Sequence, residues 1–226
     1  MIPDELSKSS LLSALDGAKF AYFDGRLPDT ALVVAQEAVR KNIPILIDAE
    51  RPREGLDDLL KLADYVVCSA KFPASFIYCA FLAAGPSTEE VDVDSLLESL
   101  EIKRDKSVSI PTCISSVMSA KPKILFLLSV AKLKAEGIGT VSGKLYVGTA
   151  ESIPPSELVD TTGAGDAFIG AVIYAICAKF TPETMLSFAA NVAGAKCRDL
   201  GARSGLPYRA DPRIASFVLE KLSSSA

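Results

Sequence analysis

The 226 residues, 49% hydrophobic and 23% charged, are enough to bury a sizeable core without disulfides or a structural metal. A balance of 24 basic against 28 acidic residues gives a net charge of −4 and excludes the basic footprint of a nucleic-acid binder. Histidine is absent. Ser-His-Asp chemistry, Cys-His chemistry and histidine metal sites are therefore excluded, and any general base must be Asp, Glu, Lys, Tyr or Cys. Tryptophan is absent too, which argues against an aromatic stacking platform.

In chain order, leucines 6, 11, 12 and 15 suggest a short amphipathic helix over 5–16. Residues 19–24 read as a buried strand ending in an acid. Residues 28–41 read as a helix, with Pro28 suited to its first turn. A strand over 43–48, a helix over 55–63 and a strand over 65–68 complete a strand–helix–strand–helix–strand series. The strands are continuous apolar runs, which predicts a parallel sheet covered by helices on both faces. Asp24, Asp48 and Ser69 fall at strand carboxyl ends, where such folds bind ligands.

Over 72–123 the pattern suggests helices at 73–84, 94–102 and 113–120. The apolar run Phe76–Ala84 is too short to span a bilayer and reads as a buried helix. A buried strand is expected over 123–129, and short antiparallel strands joined at Ser142-Gly143 over 138–153. Helices follow over 164–179, 182–199 and 212–222. There is no internal repeat and no low-complexity linker. The N-terminus carries acids early and no apolar targeting core, so a cytoplasmic protein without membrane attachment is expected. The five cysteines, at 68, 79, 113, 177 and 197, are odd in number and lie in apolar stretches. They read as buried, reduced thiols.

One segment concentrates chemistry: Asp160-Thr161-Thr162-Gly163-Ala164-Gly165-Asp166-Ala167-Phe168. Small residues lead straight into an apolar helix. Gly163 and Gly165 let the backbone aim its amides at one point, and the helix start favours an anion there. Asp166 falls in the first turn, where a carboxylate is stabilised in its charged form. Phosphoryl transfer needs this combination of an anion hole and an ionised base. A glycine-rich helix start with no ligand would show a shorter version of the same pattern.

The segment resembles the C-terminal signature of the PfkB (ribokinase-like) carbohydrate kinases. Ala189–Cys197 resembles the family's next helix, and Gly201–Pro207 the turn that closes its domain. Asp24-Gly25-Arg26 and Glu50-Arg51-Pro52-Arg53-Glu54 resemble the ketohexokinase-type branch. The likeness covers 18–72 and 145–210. It implies a ribokinase-like α/β fold, with 1–226 as one kinase domain forming the C-terminal portion of the family fold. It also implies ATP and Mg²⁺ as cofactors, a sugar or sugar-like alcohol as acceptor, and transfer of a phosphoryl group to its hydroxyl.

Asp166 then corresponds to the catalytic base, and Gly163, Ala164 and Gly165 to the anion hole for the γ-phosphate. Asn191 corresponds to a residue of the nucleotide pocket, or is simply a polar residue between helices. Asp48 is a candidate neighbour of the phosphates or a strand-end cap, and Arg203 reads as a turn residue. No metal ligand is assigned.

Three departures from the family pattern stand out. The N-terminal strand, β lid and Gly-Gly motif that hold the sugar have no counterpart, which suggests a shortened product with an uncovered sheet edge open to self-association. Ser69-Ala70-Lys71-Phe72 replaces the Asn-x-x-Glu motif. Ser129-Val130-Ala131-Lys132-Leu133-Lys134 replaces a glycine loop. A non-catalytic nucleotide- or partner-binding protein of the same fold is therefore the alternative. A nicotinamide-dependent dehydrogenase is disfavoured because no Gly-x-Gly-x-x-Gly follows a first strand.

Overall fold

The computed structural model describes residues 6–49, 53–68, 78–82, 124–135, 139–148, 151 and 153–223. The expected helices at 94–102 and 113–120, the Ser69–Phe72 segment and Cys113 lie outside the described residues. The chain divides into two compact units. One comprises residues 1–75, 79–93 and 127–145, and the other 76–78, 94–126 and 146–226.

The first unit opens with α1 (Lys8–Ala14), capped by the Ser7 hydroxyl, which accepts from the Ser10 amide at 3.1 Å. It then alternates β1 (Ala21–Phe23), α2 (Pro28–Arg40), β2 (Ile45–Ala49), α3 (Leu56–Leu60) and β3 (Tyr65–Cys68). Pro28 opens α2, Asp29 sits in its first turn and Arg40 in its last, each placed as the helix dipole favours. The helix ends in a Schellman motif: Ile43 donates to the Ala38 carbonyl and Asn42 to that of Val39, both at 2.9 Å, with Asn42 at φ 54°. That turn delivers Ile43 directly into the approach to β2.

β1, β2 and β3 are parallel, with Tyr22 opposite Leu46 and Ile47 opposite Val66. β2 is the inner strand of the three, and Ile45, Leu46 and Ile47 are fully buried. Their unbroken apolar run is the signature of a strand covered on both sides. Asp64 fixes the register at the start of β3: its amide donates to the Ile45 carbonyl at 3.0 Å, and its carboxylate accepts from the Ile45 amide at 2.8 Å.

The sheet continues through β4 (Tyr78–Leu82), β6 (Gly139–Gly148) and β5 (Ile124–Ala135), in the order β1-β2-β3-β4-β6-β5. Three expectations are corrected here. Tyr78–Leu82 is a strand antiparallel to β3, not part of a buried helix. A short apolar run cannot by itself distinguish the two, and its aromatic residues suit a strand. β5 runs on through Ser129–Lys134, so no loop stands there. Ser142 and Gly143 lie inside the continuous β6 rather than in a hairpin turn. The helix read over 55–63 is also shorter: Leu62 and Ala63 donate to Leu59 and Leu60, three residues back, so the chain tightens into turns after Leu60.

In the second unit α4 (Ala164–Cys177) packs on α5 (Pro182–Lys196), and α5 on α6 (Pro212–Ser223). Ala167, Ala171, Ala175, Ala189 and Ala193 are buried, and their small side chains suit close helix approach. α4 closes with a second Schellman motif, in which Phe180 donates to the Ala175 carbonyl and Lys179 to that of Ile176, both at 2.9 Å. Phe180 thereby meets Phe188 edge-on, with ring centroids 5.5 Å apart, and Phe188 in turn meets Phe217 at 5.8 Å. Cys197 is buried as expected, and burial pushes its thiol pKa up. Cys177 is exposed, contrary to the expectation of buried thiols, because it is the last residue of α4 and lies on the outward side of that turn.

Lys179 adopts φ 57°, a region where a side chain costs about 1–2 kcal/mol and glycine does not. Lys179→Gly should raise stability by roughly 0.5–1 kcal/mol, since the loss of this strain outweighs the extra entropy of the unfolded chain. Urea denaturation of the variant against the parent measures it. An unchanged or lowered midpoint would show that the lysine makes compensating contacts.

Candidate active site

The site lies wholly within the second unit and is built on Asp160. The Asp160 amide donates to the Cys197 carbonyl at 3.2 Å, and its own carbonyl accepts from Lys196 Nζ at 2.7 Å. Its carboxylate accepts from the Thr162 amide at 2.8 Å and the Gly201 amide at 2.7 Å. The Thr162 bond is the side-chain-to-backbone turn that the sequence suggests. Hydrogen bonds from Thr162, then Gly201, with the Lys196 charge adding to them, hold the Asp160 carboxyl at a pKa of about 2 against the usual 3.8.

The segment leading into Asp160 is moored to the end of α5. Val159 donates to the Cys197 carbonyl at 2.9 Å. Arg198 pairs with Glu151 and Glu157, each at 2.8 Å, and donates to the Gly194 carbonyl at 2.8 Å. The Glu151 carboxylate occupies the space that a side chain at position 194 would need, so a larger residue there would displace it.

Three residues after Asp160 the chain turns at Gly163, with φ 79°. A Cβ there would lie 2.9 Å from both the carbonyl oxygen and the Cβ of Ala202, so backbone conformation and close approach both require glycine. The first helical bond of α4 runs from the Ala167 amide to the Gly163 carbonyl at 2.9 Å, and no side chain caps the helix start. The Ala164 amide is used on the Thr161 carbonyl at 3.1 Å. The amides of Gly163, Gly165 and Asp166 precede the helical ladder and form the positive end of the α4 dipole. Asp166 is exposed in this first turn.

A cavity of about 690 Å³ opens beside this helix start. Gly163 and Asp166 line one part of it, Tyr174, Phe188, Val192 and Val218 give it apolar walls, and Arg203 and Arg209 bring positive charge. The arginines come from the turn after α5, which the sequence treats as a mere turn. The turn is tight: Ser204 Oγ donates to the Leu200 carbonyl, and Gly205 lies against the Lys196 carbonyl with no room for a Cβ. Arg209 has no signal in the sequence, because its place at the cavity depends on how this turn folds back.

Of the other sequence candidates, Ala164 is the buried first residue of α4. Asn191 is half-buried on α5, and its side-chain amide donates to the Ser187 carbonyl at 2.7 Å, within its own helix. Its neighbour Val192, not Asn191, lines the cavity. Asp24 and Asp48 belong to the first unit. Asp24 accepts from the Arg26 amide at 3.0 Å, and Asp48 is half-buried on β2. Among the described residues no group of three or more Cys, Asp or Glu side chains is placed to hold a metal ion, and no helix is long and apolar enough to cross a membrane.

The lowered pKa of Asp160 gives a sign to its effect on stability. A depressed folded-state pKa stabilises the fold above the unfolded value, and that contribution is lost as pH falls from about 3.8 through about 2. Asp160→Asn should therefore lower the Tm at neutral pH and flatten the fall in Tm between those two values. Asp211, also held at about 2 by Arg213, keeps its own contribution over the same window. Thermal melts of both proteins across that range check it, and parallel Tm curves would refute the role given to Asp160.

Comparison with known proteins bears on this geometry. Residues 128–209 match the family model described as pfkB family carbohydrate kinase. The adenosine kinase of Schizosaccharomyces pombe is 25% identical over 182 residues, 76% of this chain and 48% of that protein. The mouse (Mus musculus) ribokinase is 36% identical over 84 residues, 34% of this chain and 26% of that protein. Among solved structures, Arabidopsis thaliana ribokinase complexed with ribose and ATP superposes with a TM-score of 0.54 at 18% identity, covering 98% of this chain and 61% of that one. A ribokinase from Thermotoga maritima gives 0.53 at 19%, covering 96% and 61%. The chain thus spans about half the length of the adenosine kinase it matches. Its fold is ribokinase-like, and the segment 128–209, which carries the cavity's helix start, is similar to the pfkB family carbohydrate kinases.

Proposed function

We propose that the chain carries the phosphoryl-transfer site of an ATP-dependent kinase whose acceptor is a hydroxyl of a sugar or sugar-like alcohol. The observation that carries this reading is the glycine-built helix start with Asp166 in its first turn, facing a cavity that also bears Arg203 and Arg209. The amides of Gly163, Gly165 and Asp166 would hold the transferring phosphoryl group, with Ala164 fixing the turn between the glycines. Asp166 would accept the proton of the attacking hydroxyl. The two arginines would balance phosphate charge, and the apolar walls at Tyr174, Phe188 and Val192 suit the flat face of a nucleotide base. Asn191 adjoins this wall and stands as a nucleotide-binding candidate.

The described residues offer no protein-made cage for Mg²⁺. The ion fits this site as one carried by the nucleotide phosphates, where it would neutralise their charge. The relatives found are an adenosine kinase and ribokinases, which supports the broad acceptor class over the narrower ketohexokinase-type reading of Asp24–Arg26 and residues 50–54. A second reading is a protein of the same fold that binds nucleotide without turnover. It is favoured by β5 running through Ser129–Lys134, where the resemblance calls for a glycine loop.

Calorimetric titration with MgATP, followed by turnover assays with a panel of sugars and nucleosides, tests both readings. Binding with turnover supports the kinase, binding alone the second reading, and no binding at millimolar nucleotide removes both. In an active protein, Asp166→Asn should lower kcat about 10²–10⁴-fold, the usual worth of a general base, and leave the nucleotide Kd unchanged. Unchanged turnover would reduce Asp166 to a helix-start residue.

A further inference from the structure

Lys196, the last residue of α5, is fully buried, and among the described residues its hydrogen bonds go to backbone carbonyls. Nζ donates to the Asp160 carbonyl at 2.7 Å and to the Asp199 carbonyl at 3.3 Å. The nearby Asp160 carboxylate is instead engaged with the Thr162 and Gly201 amides. A buried ammonium is expensive, and an apolar side chain would fill the same space at lower cost. A charged side chain at this buried spot points to a task that packing alone does not supply.

The connections around it close a ring. From Lys196 one arm runs through the Asp160 carbonyl and along three residues to Gly163. The other runs through the Asp199 carbonyl and along three residues to Ala202. Gly163 and Ala202 then meet so closely that no Cβ fits between them. Both residues line the cavity, so the far side of the ring is the cavity wall beside Asp166. The Asp160 carboxylate crosses the ring by accepting from Gly201. Gly205 lies on the Lys196 backbone and closes the turn over it. Without the ammonium, two inward-facing carbonyls would lose a charged donor, and their peptides would turn to find another.

We propose that Lys196 is a positioning residue: its buried ammonium holds the carbonyls of Asp160 and Asp199 inward and thereby sets the glycine helix start at 163–166 against the turn at 200–202. It touches neither substrate nor cofactor in this role. Its bearing on catalysis rests on the kinase reading above, while the ring itself does not.

The test uses the full chain with Lys196→Met, which keeps the bulk of the stem and removes the charge. Amide hydrogen exchange is followed at Thr162 and Gly201, the two amides held by the Asp160 carboxylate, and at Met185 in the first turn of α5 as an internal control. The expected result is exchange faster by roughly tenfold or more at Thr162 and Gly201, the scale of one lost buried hydrogen bond, with Met185 unchanged. In a parent that turns over, kcat should fall while the acceptor KM holds. Unchanged exchange at Thr162 and Gly201 in a folded variant overturns the proposal, as does an equal rise at Met185, which would mark a general loss of stability. If Lys196→Met does not fold, Lys196→Gln, which keeps one donor but no charge, is read by the same criteria. A parent that binds no nucleotide defeats the kinase reading but leaves the exchange pattern to decide the ring.

Discussion

The arrangement around the candidate site depends on one residue that faces no ligand. Asp160 engages its amide, its carbonyl and both carboxylate oxygens, and the bonds reach three parts of the chain: the end of α5 (the Cys197 carbonyl and the Lys196 side chain), its own loop and the turn at Gly201. Backbone polar groups taken out of water must be paired, and here one residue pairs five: its own amide and carbonyl, the Cys197 carbonyl and the amides of Thr162 and Gly201. The loop entering α4 therefore has little freedom to relax. Gly163 can then hold a conformation that other residues reach only with strain, and the helix start keeps its amides pointed outward.

This explains why the second unit can build a polar site on an otherwise apolar pair of helices. α4 and α5 pack through alanines and a cluster of phenylalanines, which provides rigidity but no chemistry. The chemistry sits where helices begin and end. α4 contributes the positive end of its dipole, and the residues after α5 contribute the arginines. Arg198, held by Glu151 and Glu157, pins the incoming segment to the same helix end. A site made at helix termini needs such anchoring, because termini are where helices fray. The match to the pfkB family model falls across this region.

The first unit rests on a different constraint. Its β1–β3 strands are fixed by parallel pairing around a buried β2, and its helix ends are set by left-handed turns such as Asn42. β4 then reverses direction beside β3. That reversal is a matter of which strand finds an open partner, and no local residue pattern encodes it.

The sequence by itself determined the elements whose periodicity and caps are local: α2 with Pro28 at its start, the apolar run of β2, and the three helices from 164 onward within a few residues of their ends. It also determined the Gly163–Asp166 signature, since a glycine turn before an apolar helix is written in consecutive residues. It misread Tyr78–Leu82, Ser129–Lys134 and Ser142-Gly143, because a short apolar or mixed run becomes a strand when a neighbouring strand supplies its hydrogen bonds. Only the tertiary structure decided that Lys196 is buried, that Arg203 and Arg209 reach the cavity, that Asn191 spends its amide within its helix and that Cys177 is exposed. Each of these depends on the path of a turn or the packing of a helix face, and those are fixed by contacts between residues far apart in the chain.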